Sequence, residues 1–157
     1  LHPAGALLGE GALWHARTHR LYWVDIEGGR LHWHDPAAGT HAHLEIGGRI
    51  GTLVPTRGDE VLLARNQAAL LLNPSTGARR EIPGPSEEPP GTRFNDGKCD
   101  PAGRLWVGTM ALDFHTGGGA LYALGSDLRW TRKLSGVTCS NGITWSLDQR
   151  TLYYIDT

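Results

Sequence analysis

Four short runs dense in β-branched, aromatic and aliphatic residues recur along the chain: Leu21-Tyr22-Trp23-Val24-Asp25, Val61-Leu62-Leu63-Ala64, Leu105-Trp106-Val107-Gly108-Thr109 and Leu152-Tyr153-Tyr154-Ile155-Asp156. Their starts lie 40, 44 and 47 residues apart. Runs of this composition read as strands, and a period of about 40–50 residues built only of strands and turns is that of β-propeller blades. No stretch keeps an apolar period near 3.6 long enough for a helix, so the fold class is all-β. Arg57-Gly58-Asp59 and Asp100-Pro101-Ala102-Gly103 supply turns before the second and third runs, while Asp35-Pro36-Ala37-Ala38-Gly39 and Asn73-Pro74-Ser75-Thr76-Gly77 supply later hairpins. The Pro-rich segment 83–91 reads as a spacer between blades.

The first and fourth repeats share a register. Trp14 stands eleven residues before Asp25 and Trp145 eleven before Asp156, with Leu21 and Leu152 each seven after the Trp. Four residues before these Trp positions are Glu10 and Asn141; Asn95 stands four before Cys99 in the third repeat, and the second repeat has Ile50-Gly51 at this point. The innermost strands of successive blades line a common axis, so Glu10, Asn95 and Asn141 are expected to point into one space. A carboxylate and carboxamides there offer hard oxygen ligands for a divalent cation. An Asn before Gly, as in Asn141-Gly142, is also an ordinary turn residue, and that alternative stays open at this point.

Composition narrows the partners. Fifteen basic against sixteen acidic residues leave a net charge of −1, which provides no electrostatic footprint for nucleic acid or an anionic membrane. With 39% hydrophobic residues the chain has enough apolar material for a core. The opening Leu1-His2-Pro3-Ala4 has neither the basic region nor the apolar core of a signal peptide, and the reading is cytoplasmic. An N-terminus without Met and an end at Thr157, directly after a strand-like run, suggest a fragment: a single truncated domain over 1–157.

Three blocks resemble the signatures of the regucalcin and gluconolactonase family: Gly9-Glu10-Gly11-Ala12-Leu13-Trp14; Arg93-Phe94-Asn95-Asp96-Gly97-Lys98-Cys99-Asp100-Pro101-Ala102-Gly103-Arg104, continuing to Gly108-Thr109-Met110; and Ser140-Asn141-Gly142-Ile143-Thr144-Trp145-Ser146-Leu147-Asp148. The resemblance implies a six-bladed propeller about twice this length, of which about three and a half blades are present. It further implies hydrolysis of a sugar lactone with one divalent cation, whether calcium, zinc, manganese or magnesium. Glu10 and Asn141 are then metal ligands, and Arg93 and Asn95 bind the lactone. Asp113 is the acidic contact to substrate hydroxyls, where the family more often has Glu. The remaining ligand, an Asp that also serves as general base, falls beyond Thr157, so the isolated chain is expected to be incomplete as an enzyme. The full-length protein is expected to be a monomer or weak oligomer. A non-catalytic calcium-binding or scaffold propeller is the alternative from another class.

Other residues receive structural readings. His32 and His34, and His41 and His43, are spaced to share a strand face, but no third ligand is apparent, so they read as solvated polar faces of outer strands. His15, His19 and His115 read as turn residues. Cys99 and Cys139 read as reduced, structural thiols, and the six Trp as packing between blades. Gly117-Gly118-Gly119 lacks the Lys-Ser/Thr and helix of a phosphate loop and reads as a hairpin loop. Without a Gly-x-Ser-x-Gly elbow or a His partner for Ser140, a serine hydrolase is disfavoured.

Overall fold

A computed structural model describes residues 3–157; Leu1 and His2 of the N-terminal tetrapeptide lie outside the described residues. Every regular element among them is a strand. Blade 1 comprises β1 (Gly9–His15), β2 (Arg20–Asp25), β3 (Arg30–Asp35) and β4 (Thr40–Glu45). Blade 2 comprises β5 (Ile50–Pro55), β6 (Val61–Arg65), β7 (Ala68–Leu72) and β8 (Arg79–Ile82), and blade 3 β9 (Thr92–Cys99), β10 (Leu105–Ala111), β11 (Gly119–Leu124) and β12 (Trp130–Val137). β13 (Ser140–Trp145) and β14 (Leu152–Asp156) form a two-stranded half-blade. Each sheet runs antiparallel in sequence order, so the three and a half blades expected from the repeat are present. The four recurrent runs are β2, β6, β10 and β14, the second strand of each blade.

The innermost strands form the axial wall, with β1 against β5, β5 against β9 and β9 against β13. Apolar side chains fill the wedges between blades. Tyr22, Val24 and Leu31 meet Leu53, Leu63 and Leu70 between blades 1 and 2. Phe94, Val107 and Tyr122 meet Ala64 and Ile82 between blades 2 and 3, while Leu121 and Val137 meet Ile143 next to the half-blade. A fully buried side chain of this size contributes about 1.5–3 kcal/mol, so the wedges supply the main cohesion. Trp106 and Trp145 pack edge to face in the last wedge, as the packing role of Trp requires. Trp14 departs from it: it sits half exposed beside Leu21, on the face of blade 1 away from blade 2.

The histidine face also differs from expectation. His32 is 2% exposed, stacked on Trp23, which lies directly opposite it on β2, and its Nδ1 is 3.0 Å from Nε2 of His41. The indole covers this part of the strand face and excludes solvent. Burial, reinforced by the neighbouring imidazoles of His41 and His43, holds the His32 pKa below its usual value. His15 ends β1 and is buried rather than in an open turn, its Nδ1 2.8 Å from Oγ1 of Thr18.

Turn chemistry follows the sequence: Oδ1 of Asp35 accepts the amides of Ala37 and Ala38, and Oδ1 of Asn73 those of Ser75 and Thr76. A stronger use of Asp closes the repeat itself. Asp25, fully buried at the end of β2, accepts the amides of Leu7, Leu8 and Gly28 at 3.0–3.1 Å, tying down the segment that enters β1. Asp156 repeats the device at the end of β14, accepting from Thr138 and Cys139 ahead of β13. Burial alone pushes the Asp25 carboxyl up, but the amides of Leu8, Gly28 and Leu7 outweigh it and hold the pKa below the usual carboxylate range.

A lowered native pKa means that Asp25 contributes stability at pH values above about 4, the unfolded-state value, and that this contribution is lost as pH falls through the native value. Asp25→Ala is expected to cost on the order of 3 kcal/mol at pH 7. Urea unfolding should show that deficit shrinking as the pH is lowered below about 4.

Candidate functional site

Each innermost strand carries one extra residue at the same level. Pairing shifts between Glu10 and Leu13 in β1, between Ile50 and Thr52 in β5 and between Asn141 and Ile143 in β13, while Asn95 and Asp96 of β9 oppose the single residue Gly108. Such β-bulges bend a strand and re-aim its side chains. Glycine meets this demand in three blades, at Gly11, Gly51 and Gly142. Gly51 shows why: a Cβ there would stand 2.4 Å from the carbonyl oxygen of Phe94 and 2.5 Å from that of Asn95. β5 can therefore press against β9 at this level only without a side chain.

The bulged level opens into a cavity of about 380 Å3, lined by Glu10, Arg93, Asn95, Asp96, Cys139 and Asn141, with Leu8, Ile26, Met110 and Phe114 as apolar wall. Arg93 and Asn95 are 7% and 8% exposed. One guanidinium nitrogen of Arg93, Nη1, donates to Oδ1 of Asn95 at 2.7 Å and to the carbonyl of Phe94 at 3.0 Å. Asn95 passes the connection on, its Nδ2 donating to the carbonyl of Ser140 at 2.7 Å and to Oδ1 of Asn141 at 3.2 Å. Asn141 in turn donates to Oγ1 of Thr157 at 2.6 Å. Blade 3 and the half-blade are thus joined by a polar chain, buried from Arg93 to Ser140 and open to solvent at Thr157, and such satisfied networks hold their members in fixed orientations. The side chain of Glu10 makes no hydrogen bond or ion pair among the described residues.

Burial lowers the Arg93 pKa, against the opposing pull of Glu27 and Cys139. It raises that of Asp96, with the Gly97 amide and Lys98 pulling the other way.

Glu10, Arg93, Asn95 and Asn141, expected from sequence, therefore share one cavity. Asp113 does not line it: its exposed carboxylate binds His115, with Oδ1 2.6 Å from Nδ1, although the next residue, Phe114, reaches the wall. Arg93 makes no ion pair with Asp96 or Glu88; Glu88 instead accepts from the Tyr122 hydroxyl. Two lining residues escaped the sequence reading. Asp96 occupies the bulge position where the other inner strands have Gly, a contrast visible in the register. Cys139, unpaired with Cys99, has Sγ 3.6 Å from Nδ2 of Asn95 and 3.7 Å from Nδ2 of Asn141, so it belongs to the site as well as to the scaffold.

The donor set suits a hard cation. Glu10 offers an unpartnered carboxylate, and Oδ1 of Asn141, which accepts only from Asn95, keeps a lone pair. The oxygen of Asn95 is already engaged by Arg93. Among the described residues no group of three or more His, Cys, Asp or Glu could hold a metal ion.

An oxygen-lined cavity on the axis of three and a half antiparallel blades defines the class: a β-propeller protein. The chain belongs to the SMP-30/gluconolactonase/LRE-like family, whose pattern its residues 8–157 match. It is 40% identical over 151 residues to the pentonolactonase XacC of Haloferax volcanii, covering 96% of this chain and 50% of that protein. It is 32% identical over 155 residues to a 6-deoxy-6-sulfogluconolactonase of Pseudomonas putida, covering 97% and 52%. Among solved structures, a calcium-binding protein, regucalcin, from Agrobacterium tumefaciens superposes with a TM-score of 0.90 at 28% identity, over 97% of this chain and 51% of that one. The chain spans about half the length of the curated relatives it matches.

The raised Asp96 pKa has a defined sign. The native state binds this proton more tightly than the unfolded chain does, so the aspartate lowers stability as pH rises from about 4 through the native value. Asp96→Asn should therefore raise the melting temperature at pH 7 and leave it unchanged at pH 3, measured by circular dichroism in the presence of chelator.

Proposed function

We propose that the protein opens a sugar lactone to its sugar acid with the help of one divalent cation in the axial cavity, within a six-bladed propeller about twice the length of this chain. The observation that carries this reading is the meeting of Glu10, Arg93, Asn95 and Asn141, from three blades, in one cavity. The lactonases among its relatives support the substrate class. Glu10 and Asn141 would hold the cation, which when bound supplies a Lewis acid for the lactone carbonyl. Calcium, magnesium, manganese and zinc all accept such donors.

The chain's own residues set the orientation. Arg93 presents further guanidinium donors beyond those spent on Asn95 and Phe94, a planar fork suited to hydroxyl or carbonyl oxygens. Asn95 is fixed between Arg93 and Asn141 and so fixes the guanidinium in turn. Met110, itself buried, backs the cavity with apolar surface, while Leu8 and Phe114 stand at its solvent-exposed margin. Asp113 lies outside the cavity with Oδ1 engaged by His115, so only its Oδ2 is left for a substrate hydroxyl. The general base in this reading is an Asp outside the present chain.

A second reading, a calcium-binding propeller without catalysis, is favoured by the same oxygen donors and by the calcium-binding neighbour. A panel of aldonolactones assayed on the whole protein separates the two. Hydrolysis that is abolished by chelator and restored by a divalent cation is expected, with Glu10→Gln and Asn141→Ala lowering kcat at least about a hundredfold. Turnover indifferent to chelator would refute the cation's role, and calcium-induced stabilisation without any lactone opening would establish the second reading.

A further inference from the structure

A second and larger cavity, about 610 Å3, lies between blades 2 and 3 at the other end of the same strands. Its chemistry is the reverse of the axial site. One wall is a complete cross-strand row of blade 2, Val54–Leu62–Leu71–Arg80, in which each residue pairs with the next. The facing wall is the row Cys99–Leu105–Leu124 of blade 3, followed by Leu128 in the β11–β12 turn. The inner members of the two rows, Val54, Leu105 and Leu124, belong to one buried cluster with Leu62 and Cys99 packed against it, while Leu62, Leu71 and Leu128 keep part of their surface exposed.

Two arginines border this aliphatic groove: Arg80 at the outer end of the blade 2 row and Arg57 in the β5–β6 turn. Neither guanidinium has a hydrogen-bond or ion-pair partner among the described residues. Arg17, Arg20, Arg30, Arg49, Arg65 and Arg104 are each paired with a carboxylate, whereas Arg79 and Arg150, away from the groove, share with Arg57 and Arg80 the lack of a partner among the described residues. No acidic side chain lines the groove. Its volume falls in the roughly 300–1,000 Å3 range of small-molecule sites, and an apolar wall with a few polar groups at the margin is their usual composition.

We propose that this groove is a binding site for a small amphiphilic carboxylate, its hydrocarbon chain laid between the two aliphatic rows and its head group held by Arg57 and Arg80. Each part of the ligand meets what the groove lacks. The chain covers leucine surface that water now touches, and the carboxylate supplies the anion that two guanidinium forks bind in bidentate fashion. The site uses none of the axial residues, so it stands whether or not the protein opens lactones.

Sodium decanoate, below its micellar concentration, is the probe, with acetate and decanol in parallel, followed through leucine methyl resonances of the isotopically labelled chain. Saturable shifts at Leu62, Leu71, Leu105, Leu124 and Leu128 are expected with decanoate, weaker ones with decanol and none with acetate. Arg57→Gln/Arg80→Gln should weaken decanoate at least tenfold and leave decanol unchanged, and Arg80→Glu should weaken it further; circular dichroism confirms that these surface variants fold. Failure of decanoate to saturate, equal affinity in the double variant, or shifts confined to the open faces around Leu21 and Ile155 would overturn the proposal.

Discussion

The approach of β5 to β9 at Gly51 fixes the geometry on which the axial site depends. The Phe94 and Asn95 carbonyls occupy the space a side chain would need, and two hydrogen bonds secure the contact: Thr52 Oγ1 to the carbonyl of Gly97 at 3.1 Å, and the amide of Phe94 to the carbonyl of Asn66 at 2.7 Å. With blade 2 locked to β9, the Asn95 side chain has one direction available, toward β13. Its bonds to Ser140 and Asn141 carry the constraint across to the half-blade. Overpacking such a contact typically costs about 1–3 kcal/mol, and here the displacement would fall on the residues that line the cavity.

Sequence was most informative where one physical requirement left one residue solution. The second strands were legible because they lie inside their sheets with apolar faces, which demands compact β-branched and aromatic runs. The axial level was legible because the bulge repeats in every blade, so Glu10, Asn95 and Asn141 each stand four residues before a common point of the repeat, at Trp14, Cys99 and Trp145. What stayed hidden depends on direction rather than spacing. Asp96 looks like a turn residue beside Asn95, and only the bulge, which sets two successive residues against Gly108, sends it to the cavity wall. Cys139 precedes β13, and its place in the site follows from a backbone bridge to Met110 that no local pattern announces. The solvated reading of His32 failed for a similar reason: alternation assigns the face but does not say that Trp23 covers it.

Burying Arg93 and Asn95 is costly unless their polar atoms are satisfied, and the network around them meets that cost within two blades. Asn95 accepts from the guanidinium and donates to both a main-chain carbonyl and the Asn141 amide, so it stands at the centre of the chain of bonds. Glu10, by contrast, reaches the cavity from blade 1 with no side-chain partner among the described residues. The cavity is therefore held by hydrogen bonds on one side and unrestrained on the other, an asymmetry that fits the proposed division of cation and substrate between separate sets of residues.

The two cavities lie at opposite ends of β9: Arg93 and Asn95 line the polar one and Cys99 the apolar one. At the polar end the carbonyls of Phe94 and Asn95 approach Gly51 closely, and the buried side chains are hydrogen-bonded to one another and to the main chain. At the other end Leu62, Leu71 and Leu128 keep part of their surface exposed beside a buried aliphatic cluster. A propeller wedge therefore provides two chemically opposite recesses from the same strands, and where guanidinium groups without partners border the apolar one, the fold has already supplied what an amphiphilic anion requires.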